Sequence, residues 1–402
     1  MPSLAESGGR VDGRVDGGEG SGELSAPRLR PGTPERAGLD PGELDCLVRE
    51  FRRLTDGDQP WAAGAVLVAG RGPVIAVEEA AGWAVRYRAY DEETDTGVEL
   101  PRGERVPATT RTPFDLASLT KLFTSVAAVQ QLERGTLGID ARVGAYLPGF
   151  TAAEHGITVR HLLTHTSGLP PELPLYDCPD DRARFALLRA GKPVTAPGRA
   201  YGYSDLNMLL LQQVLERITR RPLDVLVRDG ITRPLGMTAT GFGPCPDAAA
   251  TEDQRRPWAK ADRGMLRGTV HDENAWALGG VAGHAGLFST AGDLAVFCRT
   301  LLAGGSYGTA RILGPDHVAL LLSPPGLGFA LDRPWFMGAL AGGGAAGHTG
   351  FTGTSLVLDP STDTFLVLLA NTVHPRRRPP DSVPRAAAAT RLARAVRAVR
   401  RA

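Results

Sequence analysis

Lysine is nearly missing from this chain. Of 402 residues 45 are cationic, yet only three are lysines, at positions 121, 192 and 260, and the rest are arginine. Arginine holds its proton at every working pH, so a lysine kept in such a chain points to a place where a neutral amine is wanted. Cysteine is sparse too: Cys46, Cys178, Cys245 and Cys298 are too few and too scattered for a disulfide framework and lack the C-x-x-C spacing of a zinc site. Reduced thiols are the plain reading. Net charge is absent, at a formal +1, which excludes a bulk field that would gather nucleic acid or anionic lipid. No stretch approaches 18 uninterrupted apolar residues, and the N-terminus is polar and glycine-rich where a secretory signal would carry an apolar core. A cytoplasmic protein with neither a membrane nor a nucleic-acid partner is expected. Metal and cofactor signatures are missing as well. His161 and His165 stand four apart on a helix, but Leu162, Leu163 and Thr164 lie between them, without the glutamate of H-E-x-x-H. Gly279, Gly280, Gly283 and Gly286 do not form G-x-G-x-x-G after a strand. The expectation is therefore no metal and no cofactor.

What is present is enough apolar material for a large core, 42% of the residues, in a length that suits two domains or one bilobal unit. Residues 1–33, with the tandem Gly9-Arg10-Val11-Asp12 and Gly13-Arg14-Val15-Asp16, hold too little apolar surface to offset the entropy of ordering, and a disordered leader is expected there. Leu44, Leu47, Phe51 and Leu54 recur at helical spacing. Ala65-Val66-Leu67-Val68 and Val74-Ile75-Ala76-Val77, split by Gly70-Arg71-Gly72, read as a β-hairpin. Residues 87–112 are polar and predict a surface excursion. Leu122, Val126, Val129 and Leu132 predict a helix that Gly135 stops. From 157 to 237 helices and proline-rich loops predict an all-α insert. Runs at 354–358 and 365–370 read as strands, the second continuous in apolar residues and hence buried on both faces, and a helix from about Pro384 closes the chain with Leu392, Val396 and Val399 inward and its arginines in water. Strands at both ends with helices between predict an α+β fold, an α-β sandwich: a central antiparallel sheet built from both chain ends, flanking helices and an all-helical lobe. The boundaries read as an α/β lobe over 34–135 and 270–373, a helical lobe over 136–269, and an arginine-rich loop and helix over 374–402 packed on the sheet.

The chemistry starts at Ser118-Leu119-Thr120-Lys121. Serine and lysine three apart share a helix face, so nucleophile and base can meet, and the start of a helix favours an oxyanion beside the serine. Two further segments accompany this one: Tyr203-Ser204-Asp205 before a helix and His348-Thr349-Gly350 on a strand. In this order they resemble the S-x-x-K, Y-x-N and K/H-T-G motifs of the serine β-lactamase and penicillin-binding protein superfamily, in particular its class C-like branch of esterases, D-aminopeptidases and transacylases. Flanking words fit too, among them Leu162-Leu163-Thr164-His165-Thr166-Ser167-Gly168, Pro234-Leu235-Gly236-Met237 and Gly283-His284-Ala285-Gly286. The likeness covers about residues 34 to 373 and implies a β-lactamase-like fold.

The resemblance implies an acyl-enzyme on Ser118, with Lys121 as base once its pKa is lowered by burial and a neighbouring positive group. Tyr203 would relay the proton to the leaving group, His348 would line the opposite wall, and the amides of Ser118 and Phe351 would form the oxyanion hole, with Thr349 and Gly350 in support. Asp205 departs from the family's asparagine, exchanging a donor amide for an acceptor-only carboxylate. It reads either as a helix N-cap or as a group that orients Lys121. His348 stands where many relatives carry lysine, removing a fixed cation that would hold a β-lactam or peptide carboxylate. His271-Asp272-Glu273-Asn274 and His284 are read as shaping a loop beside the site. The implied partner is a small-molecule acyl substrate, and nothing sets an oligomeric state. An esterase or amide hydrolase is the first reading, a transacylase of specialised metabolism, a β-lactamase or D-peptidase, and a non-catalytic ligand sensor the others.

Overall fold

Two continuous apolar runs form the centre of the sheet, and their period-two alternation feeds a core on each side. The computed structural model describes residues 26–401. Strands β1 (Arg30–Pro31), β2 (Gly64–Arg71), β3 (Val74–Val85), β4 (Val106–Pro107), β5 (Ala330–Leu331), β6 (Ala346–Thr349), β7 (Ser355–Asp359) and β8 (Thr364–Ala370) make one sheet in the order β1-β3-β2-β8-β7-β6-β5, with β4 also on β3. Val68 lies opposite Val367 and Leu67 opposite Leu368 where the two ends of the chain meet. Val66, Val68, Phe365, Val367 and Leu369 face one core, with Phe123 and Phe297. Their neighbours Leu67, Leu366 and Leu368 face the other, with Leu44, Leu47, Phe51, Leu392 and Val396. A strand buried on both faces reads as an unbroken apolar run for this reason.

Helices α1 (Pro41–Arg52) and α5 (Val383–Arg401) cover the second face, and α2 (Thr120–Glu133) and α4 (Ala291–Leu302) the first. Arg391 of α5 pairs with Glu43 and Glu50 of α1 at 2.9 and 2.5 Å, so at least this arginine is engaged rather than simply in water. Helix α2 is buried almost all round, from Thr120 to Gln131, which is why its apolar stripe is broad. It packs against α3 (Asp205–Thr219) in the helical part.

Four expectations change. Residues 1–25 lie outside the described residues, but 26–33 belong to the fold: Ala26 bridges Gly308, and β1 runs parallel to β3, so the sheet is mixed rather than wholly antiparallel. The Arg30 amide donates to Pro73 at 3.0 Å and Leu29 packs on the core, which offsets the ordering cost that local composition suggests. The stretch 136–269 is not all helical. Ala250–Gln254 pairs with Gly264–Arg267, because the buried Glu252 and Gln254 find distant partners in Arg377, His271 and Arg263 that local propensity cannot register. The excursion at 87–112 is itself a hairpin, Tyr87–Asp91 on Thr96–Glu99. Finally, the arginine-rich loop is partly internal, since Arg377 pairs with both Glu252 and Glu273.

Candidate active site

The turn that presents Ser118 is held from below. Asp115 is buried, its carboxylate accepting from the amides of Ala117 at 2.8 Å and His271 at 2.6 Å. Ala117 takes a left-handed φ of 45°, uncommon for a residue with a Cβ, and Leu116 and Leu119 anchor the turn in the core. Ser118 lies in a 3₁₀ turn, Ala117–Leu119, just ahead of α2 rather than within its first turn. Lys121, in the first turn of α2, follows three residues on and so lies on the same face as Ser118.

The four predicted side chains converge. Lys121 Nζ donates to Ser118 Oγ at 2.8 Å, and Tyr203 Oη donates to the same oxygen at 3.0 Å. The ring of Tyr203 lies 6.0 Å from that of His348, centroid to centroid. His348 Nδ1 meets the Thr349 carbonyl at 2.7 Å. A carbonyl only accepts, so Nδ1 carries the proton and Nε2 is left as an acceptor. Burial, helped by the charge of Lys121, pushes the His348 pKa down to about 4, and the ring is neutral.

Two expectations about the base are corrected. Lys121 is fully buried, which by itself depresses an ammonium, but the Asp205 carboxylate and the Tyr203 phenol reverse the shift and the pKa rises above the ordinary lysine value. At rest it is a cation that donates to Ser118 Oγ and, at 3.2 Å, to the His284 carbonyl, and that forms an ion pair with Asp205 Oδ1 at 2.8 Å. Asp205 is not the helix cap. Ser204 holds that position, and Asp205 turns its carboxylate to Lys121. Burial lifts the Asp205 carboxyl, but Lys121 and His284 more than offset this and hold it below the ordinary range.

Strand β6 brings His348-Thr349-Gly350 to the same cleft. Glycine is required at 350 because a Cβ there would stand 2.4 Å from the Leu116 carbonyl and 2.1 Å from Thr354 Oγ1. Phe351 follows, half exposed, its ring 5.6 Å from His271 and 5.6 Å from the Arg377 guanidinium. A cavity of about 980 Å³ opens over these groups, lined by Ser118, Tyr203, His348 and Phe351, by aromatic Trp61, Tyr201 and Trp335, and by Arg333, Arg378 and Arg385. Arg385 is 6% exposed. It donates to the Gly350 carbonyl at 3.1 Å and to Ser382 Oγ at 3.0 Å, and among the described residues its Nε has no partner.

Several supporting groups surround these side chains through contacts that the sequence does not display. His165 stacks on Tyr203, centroids 4.8 Å and planes 26° apart, and accepts at Nδ1 from the Ser204 amide, while burial pushes its pKa down to about 3. His161 accepts the Thr158 amide at its Nδ1 and completes the capping box of helix Val159–Leu163. His284 and Asp272 pair at 2.9 Å beside Asp205. Both lie in segments already noted in the sequence, but only the structure shows that the His284 carbonyl reaches Lys121 and that Asp272 holds the His284 ring. Asp205, Asp272 and His284 offer ligand atoms within 4.8 Å of one another. They do not suit a cation, because Lys121 already holds Asp205 and His284 already holds Asp272. One further motif is inert: Gly304-Gly305-Ser306-Tyr307-Gly308 spells G-x-S-x-G, but Ser306 lies in a hairpin with Ala310–Arg311, not at a strand-to-helix turn.

Comparison with known proteins gives the family and the fold. The Beta-lactamase family model matches residues 49–390. A protein of Escherichia coli (strain K12) named as a D-alanyl-D-alanine carboxypeptidase is 33% identical over 391 residues, covering 87% of this chain and 86% of its own. Among solved structures, a penicillin-binding protein homolog from Caulobacter crescentus superposes with a TM-score of 0.68 at 21% identity, covering 89% of this chain and 98% of its own. EstCE1, a hydrolase with promiscuous acyltransferase activity, gives 0.64 at 23% identity, covering 88% and 98%. The chain belongs to the Beta-lactamase family.

Proposed function

We propose that this protein is a serine hydrolase that works through an acyl-enzyme on Ser118, acting on a small-molecule ester or amide. One observation carries the reading: Lys121 Nζ and Tyr203 Oη both lie within 3.0 Å of Ser118 Oγ in the wall of a large cavity. A hydroxyl becomes a competent nucleophile only when a group in hydrogen-bond reach takes its proton. Ser118 Oγ bonds to the acyl carbon, its proton passes to Lys121 once that amine is neutral, and Tyr203 hands a proton to the departing oxygen or nitrogen. The amides of Ser118 and Phe351 receive the oxyanion, and water then releases the acid. A neutral His348 supplies an acceptor and no fixed charge. Asp205 offers no amide to an acyl-amide oxygen, which favours esters over side-chain amides of β-lactam type.

A second reading, a D-peptidase, has its own support in Arg333, Arg378 and the buried Arg385 around the cavity, because guanidinium groups pair with carboxylates. Transfer of the acyl group to an amine or alcohol is the third reading, and the fold likeness to EstCE1 keeps it in view. Intact-protein mass spectrometry with a fluorophosphonate, wild type beside Ser118→Ala, tests the nucleophile: an adduct is expected on the wild type alone, and equal labelling of both overturns the assignment. Turnover of p-nitrophenyl esters, of esters with added amine, of D-alanyl-D-alanine peptides and of a chromogenic cephalosporin then separates the activities.

A further inference from the structure

We propose that His284, paired with Asp272, is a positioning residue for Lys121: it holds the amine with its own carbonyl and stands as the positive group that takes over Asp205 when Lys121 gives up its proton. The inference rests on the acyl-enzyme reading. Its starting point is an imbalance, since a family asparagine replaced by Asp205 leaves a carboxylate 2.8 Å from the base. An amine so held is a poor proton acceptor, because losing its charge strands a partly buried carboxylate without a partner.

The loop at His284 answers this. Its carbonyl accepts from Lys121 Nζ at 3.2 Å, and the preceding Gly283 carbonyl accepts from Thr124 Oγ1 of the same helix at 2.8 Å, so the loop is bonded to α2 at two successive residues. The ring is 1% exposed, with Nε2 2.9 Å from Asp272 Oδ1 and the Asp205 and Asp272 oxygens within 4.8 Å of its ligating nitrogen. The Asp272 carboxylate is fixed in turn, because it also accepts the Ala275 amide at 2.7 Å as the cap of helix Glu273–Ala277. The charges thus run Lys121, Asp205, His284, Asp272 with alternating sign. When Lys121 is neutral the remainder still alternates, an imidazolium between two carboxylates. Burial works against a charged His284, yet Asp272 and Asp205 outweigh it and raise the ring's pKa. The charged groups that act on the ring are these two carboxylates and Lys121.

The test is the pH profile of kcat/KM for a p-nitrophenyl ester in wild type and His284→Gln. Glutamine can keep the bond to Asp272 but carries no charge, so two carboxylates then face Lys121 unopposed. The rising limb is expected to move to higher pH by about one unit with KM little changed. A limb that stays in place while the plateau falls makes His284 merely structural and overturns the proposal. Should that variant not fold, Asp272→Asn decides, since asparagine can still cap the helix. Nitrogen-15 spectra of the histidines at pH 7 are expected to show His284 as an imidazolium in wild type and neutral in Asp272→Asn, and a neutral His284 in wild type overturns the inference. Fluorophosphonate labelling of the wild type is read alongside. Its failure removes the acyl-enzyme reading, while the spectra report the state of His284 independently.

Discussion

The hydroxyl of Thr352 donates to the main-chain carbonyl of Asp115 across 2.7 Å, tying the loop after Phe351 to the turn before Ser118. Thr354 repeats the tie one residue along, to Leu116 at 3.1 Å. The two amides assigned to the oxyanion therefore sit on segments from opposite parts of the chain joined by two side-chain bonds. Thr352→Val keeps the shape and removes the first bond. We expect a fall in kcat larger than the rise in KM, and a loss of stability of about 1–3 kcal/mol from the unpaired buried carbonyl. Steady-state kinetics beside urea unfolding check this, and a change confined to stability refutes the link to the oxyanion.

Asp205→Asn removes the carboxylate that favours the ammonium form of Lys121. The sign follows directly: with less to gain from its charge, Lys121 loses its proton at lower pH, so the rising limb of kcat/KM moves down. This is opposite to the displacement expected for His284→Gln. A limb that moves up, or stays, means that the amine is not the group titrating.

Tyr203→Phe keeps the stack on His165 and deletes the hydroxyl 3.0 Å from Ser118. Rates are expected to fall about 10²-fold or more for an alkyl ester or amide, whose leaving group needs a proton, and far less for a p-nitrophenyl ester, whose leaving group does not. Equal losses for both leaving groups remove Tyr203 from the relay.

Glu252 is fully buried and receives both His271 and Arg377. Burial raises its pKa, but these two partners reverse the effect and hold the carboxyl at about 2. A depressed acid contributes stability above its unfolded pKa and loses it as pH falls. Glu252→Gln should then cost about 3 kcal/mol at pH 7, with the gap to wild type closing as pH falls from about 4.5 toward 2. Urea unfolding at pH 7 and pH 3.5 measures it, and a gap that does not narrow contradicts the pairing.

Much of the fold could be read along the chain because it is local. Runs such as Phe365-Leu366-Val367-Leu368-Leu369-Ala370 carry their burial in their own composition, and the termini meet because those runs need each other. The pairing of Ser118 with Lys121 is likewise a matter of spacing. What escaped is what depends on residues far apart. Ala250–Gln254 is a strand because Glu252 meets Arg377, 125 residues away. Ala26 is ordered because it meets Gly308.

The amino-acid order alone thus determined which side chains were available, and short-range spacing paired the serine with a lysine one turn on, but the tyrosine, 85 residues away, and the histidine on a strand reach them only through the fold. Tertiary structure decided their charge. Whether Lys121 is an amine or an ammonium depends on Asp205 of another helix and His284 of a distant loop, because Coulomb energies inside a poorly polarisable core depend on distance through space and not on separation along the chain.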